Sequence, residues 1–116
     1  MERLRKLFAV HFAFEIGQVQ LFLAHIAAAY DWTLSSKAKP FGRNLRLQGQ
    51  IEDCLRAGMA LGDVDPAADP RAIIDLLMAA YAWTWRLAAW ENASAEAMRA
   101  VMDQQIGLIA KGFQPR

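Results

Sequence analysis

The sequence predicts an all-α fold, a single-domain helical bundle of about five helices, and three observations carry that expectation. Nothing in the 116 residues alternates apolar and polar side chains with period two over strand length. Apolar residues recur instead at helical spacing. The breaks between the apolar stretches hold helix stop and start chemistry: Gly62, Asp69-Pro70, Asn92 to Ser94 and Gly112. The length suits one domain, residues 1–116, with a single core.

Composition narrows the function classes. Apolar residues make up 55% and charged residues 22%, against about 45–50% and about 25% in ordinary soluble domains. One small core cannot hide that surplus, so burial against a partner subunit or around an apolar ligand is expected. A net charge of +1 without a run of Lys or Arg gives no face for a polyanion. Cys54 is the one cysteine, which excludes an intramolecular disulfide framework and a multi-cysteine zinc site and fits a reducing cytoplasm. Leu7 to Ala29 and Ala72 to Trp90 have the length of membrane spans. The first holds His11, Glu15, Gln18, Gln20 and His25, and the second holds Asp75 and Arg86, so buried helices and no membrane association are expected. The N-terminal apolar stretch is broken by charge and lacks a signal-peptide cleavage pattern, and a cytoplasmic location follows as the expectation.

Taken in order, Glu2 to Tyr30 has no proline and one glycine and reads as one long helix, or two joined near Gly17. His11, Glu15, Gln18, Phe22 and His25 fall on one narrow stripe at 100° per residue. Opposite lie Glu2, Lys6, Ala9, Ala13, Gln20, Ala24 and Ala27. Three accounts fit the first stripe. It is a solvent face; or His11, Glu15 and Gln18 are the polar groups of an apolar pocket walled by Phe8, Phe12 and Phe22; or His11, Glu15 and His25 hold a metal, without HExxH or cysteine to support it. Asp31 to Lys39 is a break capped by Asp31, Thr33, Ser35 and Ser36, and Trp32 there is a core lid or a cavity wall.

Phe41 to Leu61 is an amphipathic helix with Leu47, Ile51, Cys54, Leu55, Gly58 and Leu61 on one side. Gly58 is costly inside a helix, which points to close approach of a neighbour. Gly62 ends the helix, Asp63 to Pro66 turns the chain, and Asp69 caps the next helix with Pro70 at its first position. That helix, Pro70 to Trp90, is apolar over more than half its circumference and must be covered on two sides. Glu91-Asn92-Ala93 is a short loop and Ser94 caps a last helix that runs to about Lys111. Asn92-Ala93-Ser94 also matches the glycosylation pattern, but capping is the better account. Met98, Val101, Met102, Ile106, Leu108, Ile109 and Phe113 make the last helix's apolar face. Gln105 in its midst needs a partner, which a neighbouring subunit could supply. No phosphate loop, nucleophile elbow or paired-carboxylate motif is present, so no catalytic residue, cofactor or metal is expected and the chain does not read as an enzyme.

Leu55 to Pro66, with the aromatic-rich Pro70 to Trp90 helix, the Asn92 to Ser94 loop and the terminal Gly112-Phe113, resembles the C-terminal domain of TetR-family transcriptional regulators. The resemblance implies an effector-binding domain whose last two helices pack on the same pair of a second subunit, forming an intersubunit four-helix bundle and a homodimer. Carried over by position, the dimer contacts are Tyr81, Trp85, Ala88, Met98, Met102, Gln105 and Ile109. A small apolar or aromatic effector would sit among Phe8, His11, Phe12, Glu15, Gln18, Phe22, Trp32, Tyr81 and Trp83. Such regulators begin with a helix-turn-helix, and none precedes Met1, so operator DNA is expected to be reached only through a domain outside this chain. The competing expectation is a stand-alone helical dimerisation or protein-interaction module with no small-molecule ligand.

Overall fold

A computed structural model describes residues 1–29 and 44–115. All regular structure among them is helical. The first rod is α1 (Glu2–Glu15), a 3-10 turn (Ile16–Gln18) and α2 (Val19–Ala29). Glu15, Ile16 and Val19 all keep right-handed helical dihedrals, so the rod tightens at Gly17 without ending. α3 is Leu45–Leu61, α4 is Pro70–Thr84, α5 is Arg86–Glu91 and α6 is Ala95–Ala110. Since α5 continues α4 after a single turn residue, the six α-helical segments and the 3-10 turn form four rods among the described residues, where about five helices were expected of the chain.

Local chemistry accounts for the ends. Asn44, left-handed at φ 40°, accepts from the Leu47 amide through its side chain and starts α3. The expected start at Phe41, and the expectations for Asp31 to Lys39 and Trp32, lie outside the described residues. Gly62, at φ 84°, closes α3. The Asp69 carboxylate accepts from the Arg71 amide at 3.0 Å with Pro70 at the first position, and Ser94 Oγ accepts from the Ala97 amide at 3.1 Å.

One expectation fails at Trp85. The helix from Pro70 to Trp90 is not continuous, because Thr84 Oγ donates to the Ala80 carbonyl at 2.7 Å and the Trp85 amide turns to the Ala82 carbonyl at 3.2 Å. A hydroxyl that bonds back to the carbonyl four residues earlier competes with the helix ladder and bends it.

The core is built from ridges spaced by four. α1 contributes Leu4, Phe8 and Phe12; α3 contributes Leu47, Ile51 and Leu55; α4 contributes Ile73, Leu77 and Tyr81; α6 contributes Met98, Met102, Ile106 and Ala110. Ridges of this spacing interlock when helices pack. α1 packs most extensively on α6, which also lies against α4, while α3 touches both α1 and α4. The described residues span 40 × 32 × 19 Å, and the short dimension holds about two helix diameters.

The first rod is less covered than the buried helix expected from its apolar content. From Glu2 to Ala28 it is long and apolar enough to cross a membrane by length and composition, with mean hydropathy 1.5 over its best window and 11% of that window buried. Its first half buries one ridge. Its second half leaves Leu21 53% exposed.

The turn after α3 is held from two directions. The Asp63 and Val64 amides both donate to the Gly58 carbonyl, and the Asp65 amide donates to the Phe113 carbonyl at 2.9 Å. Val64, 1% exposed, sits on Gly58. A Cβ on Gly58 would lie 2.6 Å from Val64 Cγ2, and a branched valine cannot rotate away cheaply. Gly58→Ala is therefore expected to lower stability by about 1 kcal/mol net, overpacking outweighing the gain in helix propensity. Urea unfolding checks this, with the sign reversing in a Val64→Ala background.

Candidate functional site

The chemistry gathers where α1, α2 and α4 meet. Tyr81 and Trp85 are spaced by four and so project from one face of α4, as Phe8 and Phe12 do from α1. The rings close on one another. Tyr81 lies 5.3 Å from Phe8, 5.0 Å from Phe12 and 6.2 Å from Phe22 between ring centroids. Trp85 lies 5.5 Å from Phe12, 4.5 Å from Phe22 and 6.3 Å from Tyr81. The tilted and edge-on arrangements are those the ring quadrupoles favour. α1 and α4 are thus bridged by aromatic rings, with little close backbone approach between them.

Polar groups border this cluster. The His11 ring stands edge-on to Tyr81 at 6.4 Å, and its Nε2 hydrogen-bonds with Gln50 Oε1 of α3 at 3.1 Å. Burial drives the Tyr81 hydroxyl well above its ordinary value of 10.0, with the Glu15 carboxylate adding to the rise. The Trp85 indole N–H lies near enough to oppose that shift but falls short of a hydrogen bond, so Tyr81 Oη and Trp85 Nε1 are buried without a partner. Nearby polar groups fare differently. Thr84, fully buried, donates to Ala80 and accepts from Gln105 Nε2 at 2.7 Å. The partner expected for Gln105 from another subunit is supplied within the chain.

The sequence-derived site residues divide. Phe8, His11, Phe12, Phe22 and Tyr81 come together, with Glu15 half-buried beside them. Gln18 is exposed in the 3-10 turn, and the small-residue face opposite the stripe is the one turned to solvent at Ala13, Gln20, Ala24 and Ala27. Trp32 lies outside the described residues. Trp83 points away: it is 57% exposed, packs edge-on to Trp90 at 5.7 Å and carries the Arg86 guanidinium 4.9 Å above its ring. Among the described residues no three His, Cys, Asp or Glu side chains converge, and His11 and His25 are about 20 Å apart along one rod.

The dimer contacts carried over by position also divide. Tyr81, Trp85, Met98 and Met102 are buried inside the protomer at 2% exposure or less, so they have no surface left for a partner. Ala88, Gln105 and Ile109 are half-buried. The large exposed apolar side chains on the last two rods are Leu76, Trp83, Trp90 and Leu108. Sequence reasoning missed Trp85 as a member of the aromatic cluster, although its spacing of four from Tyr81 was a legible signal. Gln50, opposite His11 on another helix, left no signal.

A shallow cavity of about 120 Å³ lies elsewhere, between the start of α1 and the end of α3, and includes Arg3, Cys54 and Asp63 in its lining. Burial pushes the Cys54 thiol up, against the pull of Arg3, which leaves it a poor nucleophile.

No protein-family model, curated protein or solved structure matches this chain.

The raised Tyr81 value fixes a pH dependence. Below about pH 10 both folded and unfolded tyrosine are protonated and contribute nothing to it. Above that, the unfolded phenol ionises while the folded one holds its proton, so stability falls as pH rises. Tyr81→Phe should remove this part of the decline. Urea midpoints of wild type and variant are expected to run parallel from pH 7 to 9 and to diverge in favour of the variant above pH 10.

Proposed function

We propose that this chain is the effector-sensing and dimerisation domain of a TetR-like transcriptional regulator, a repressor, and that it binds a small apolar or aromatic ligand without catalysing a reaction. The observation that supports this reading is the two-sidedness of α4. Its Tyr81 and Trp85 stand inside the aromatic cluster with α1 and α2, while Leu76 and Trp83 lie on its outer surface. Leu76, Trp83 and Trp90 recur every seven residues and so share one stripe of the α4–α5 rod.

A ligand that moves Tyr81 or Trp85 moves the helix carrying that stripe. In a two-fold dimer built on the last two rods, the shift would favour one placement of the subunits through differential affinity for two states. The homodimer face in this proposal is drawn from Leu76, Trp83, Trp90 and Leu108, with Ala88 and Ile109 beside them. Operator DNA would be contacted only through a helix-turn-helix domain, which these residues do not contain. A cytoplasmic location away from the membrane belongs to the same proposal.

A second reading, a helical dimerisation or protein-interaction module without a ligand, is favoured by the same outer stripe, since exposed tryptophans fit a partner surface whether or not anything binds inside. Two measurements separate the readings. Sedimentation should give a particle of about twice the 13.0 kDa chain mass, dissociating in the double variant Trp83→Ala, Trp90→Ala. Thermal unfolding against a panel of apolar aromatic compounds should rise with at least one, by about 2.7 kcal/mol at ~100 times its dissociation constant. A dimer with no response across the panel leaves the module reading standing.

A further inference from the structure

Among the described residues three buried side-chain polar atoms lack a partner, and two of them, Tyr81 Oη and Trp85 Nε1, lie together in the aromatic cluster, the third being Asp103 Oδ1 on α6. Tyr81 is 2% exposed and Trp85 is 0% exposed, and neither Tyr81 Oη nor Trp85 Nε1 has a hydrogen-bond partner among the described residues. A donor left unpaired in an apolar interior gives up its bond to water without compensation. Neither is released by its neighbours: His11 Nε2 is engaged by Gln50, and the Thr84 hydroxyl one residue away is engaged by Ala80 and Gln105. Phe8, Phe12 and Phe22 offer no acceptor. Both orphans can donate to a single oxygen placed between them, because indole N–H is a donor only and the phenol rotates freely.

We infer that Tyr81 Oη and Trp85 Nε1 are the polar anchors of a binding site for a neutral, flat, hydrophobic molecule that carries a hydrogen-bond-accepting oxygen, an aromatic ketone by chemical class. This rests on the ligand-sensing reading above and specifies what that ligand must contain. Neutrality follows from the electrostatics: the charge felt at Tyr81 is the Glu15 carboxylate, which raises its pKa and would repel an anion. Flatness follows from the walls, which are rings. Entry is from the α2 side, where Phe22 is half-buried and the rod carrying it turns Leu21 and Ala24 to solvent. Phe22, 4.5 Å from Trp85, is the less buried wall of the cluster, whereas Phe8 and Phe12 are fully buried, so it is the ring whose displacement would admit the ligand.

The test compares benzophenone with 1,1-diphenylethylene, which has the same shape but a methylene group in place of the carbonyl oxygen. Calorimetric titration of the full chain is expected to give about five- to tenfold tighter binding for the ketone, and Tyr81→Phe to erase most of that preference while leaving the hydrocarbon's affinity in place. The Trp85 indole N–H resonance should shift with the ketone and move less with the hydrocarbon. Trp83→Phe, outside the cluster, should keep the preference, and far-ultraviolet circular dichroism confirms that each variant is folded. Equal affinity for the two compounds, or a preference that survives Tyr81→Phe, overturns the anchor assignment and leaves the sensing reading intact. If neither compound binds, the assignment also fails, and the wider apolar panel then decides whether the sensing reading fails with it.

Discussion

The ridge Leu4-Phe8-Phe12 on α1 is the contact on which the remaining structure depends. It lies along α6 and reaches both α3 and the rings of α4, so it joins the buried faces of the other three rods. Removing one buried phenylalanine of this kind costs about 3–5 kcal/mol, a large part of the 5–15 kcal/mol that ordinarily separates folded from unfolded states. The same ridge explains why α1 and α2 behave differently although they form one rod. Past Glu15 the buried ridge has no continuation among the described residues, and the half-buried Val19, Phe22, Leu23 and Ile26 pack α2 on the core.

The bend at Trp85 is the second feature with consequences beyond its own turn. Thr84 spends its hydroxyl on Ala80 and Gln105, which satisfies a buried polar group, ties α4 to α6 and interrupts the helix at once. After the interruption α5 sets Trp90 against Trp83 on the outside. Inside, it leaves Trp85 facing Phe12 and Phe22. One short stretch of chain therefore carries a buried aromatic cluster and an exposed aromatic pair back to back, the physical arrangement that a coupling between an inner ligand and an outer partner requires.

The turn between α3 and α4 has a purely structural task. Gly58 leaves room for Val64, and the Asp65 amide reaches the Phe113 carbonyl just beyond α6. The end of the chain is thereby locked to its middle. Gly62, Asp65 and Asp69 are accounted for by backbone geometry and capping.

The sequence by itself determined the all-helical class, the stop of α3 at Gly62, and the starts of α4 at Asp69-Pro70 and of α6 at Ser94. These follow from capping chemistry, backbone sterics and the pitch of a helix, all of which act within a few residues. Only the tertiary structure decided that Trp85 faces inward and Trp83 outward, that Gln105 finds Thr84 and that His11 finds Gln50. On α4 the apolar arc exceeds half the circumference, so the pattern leaves the rotation of the helix about its axis undetermined, and packing against α1 and α6 fixes it. The hydrogen-bond partners lie on other helices, 39 residues away for His11 and 21 for Gln105, at separations that no local spacing rule encodes.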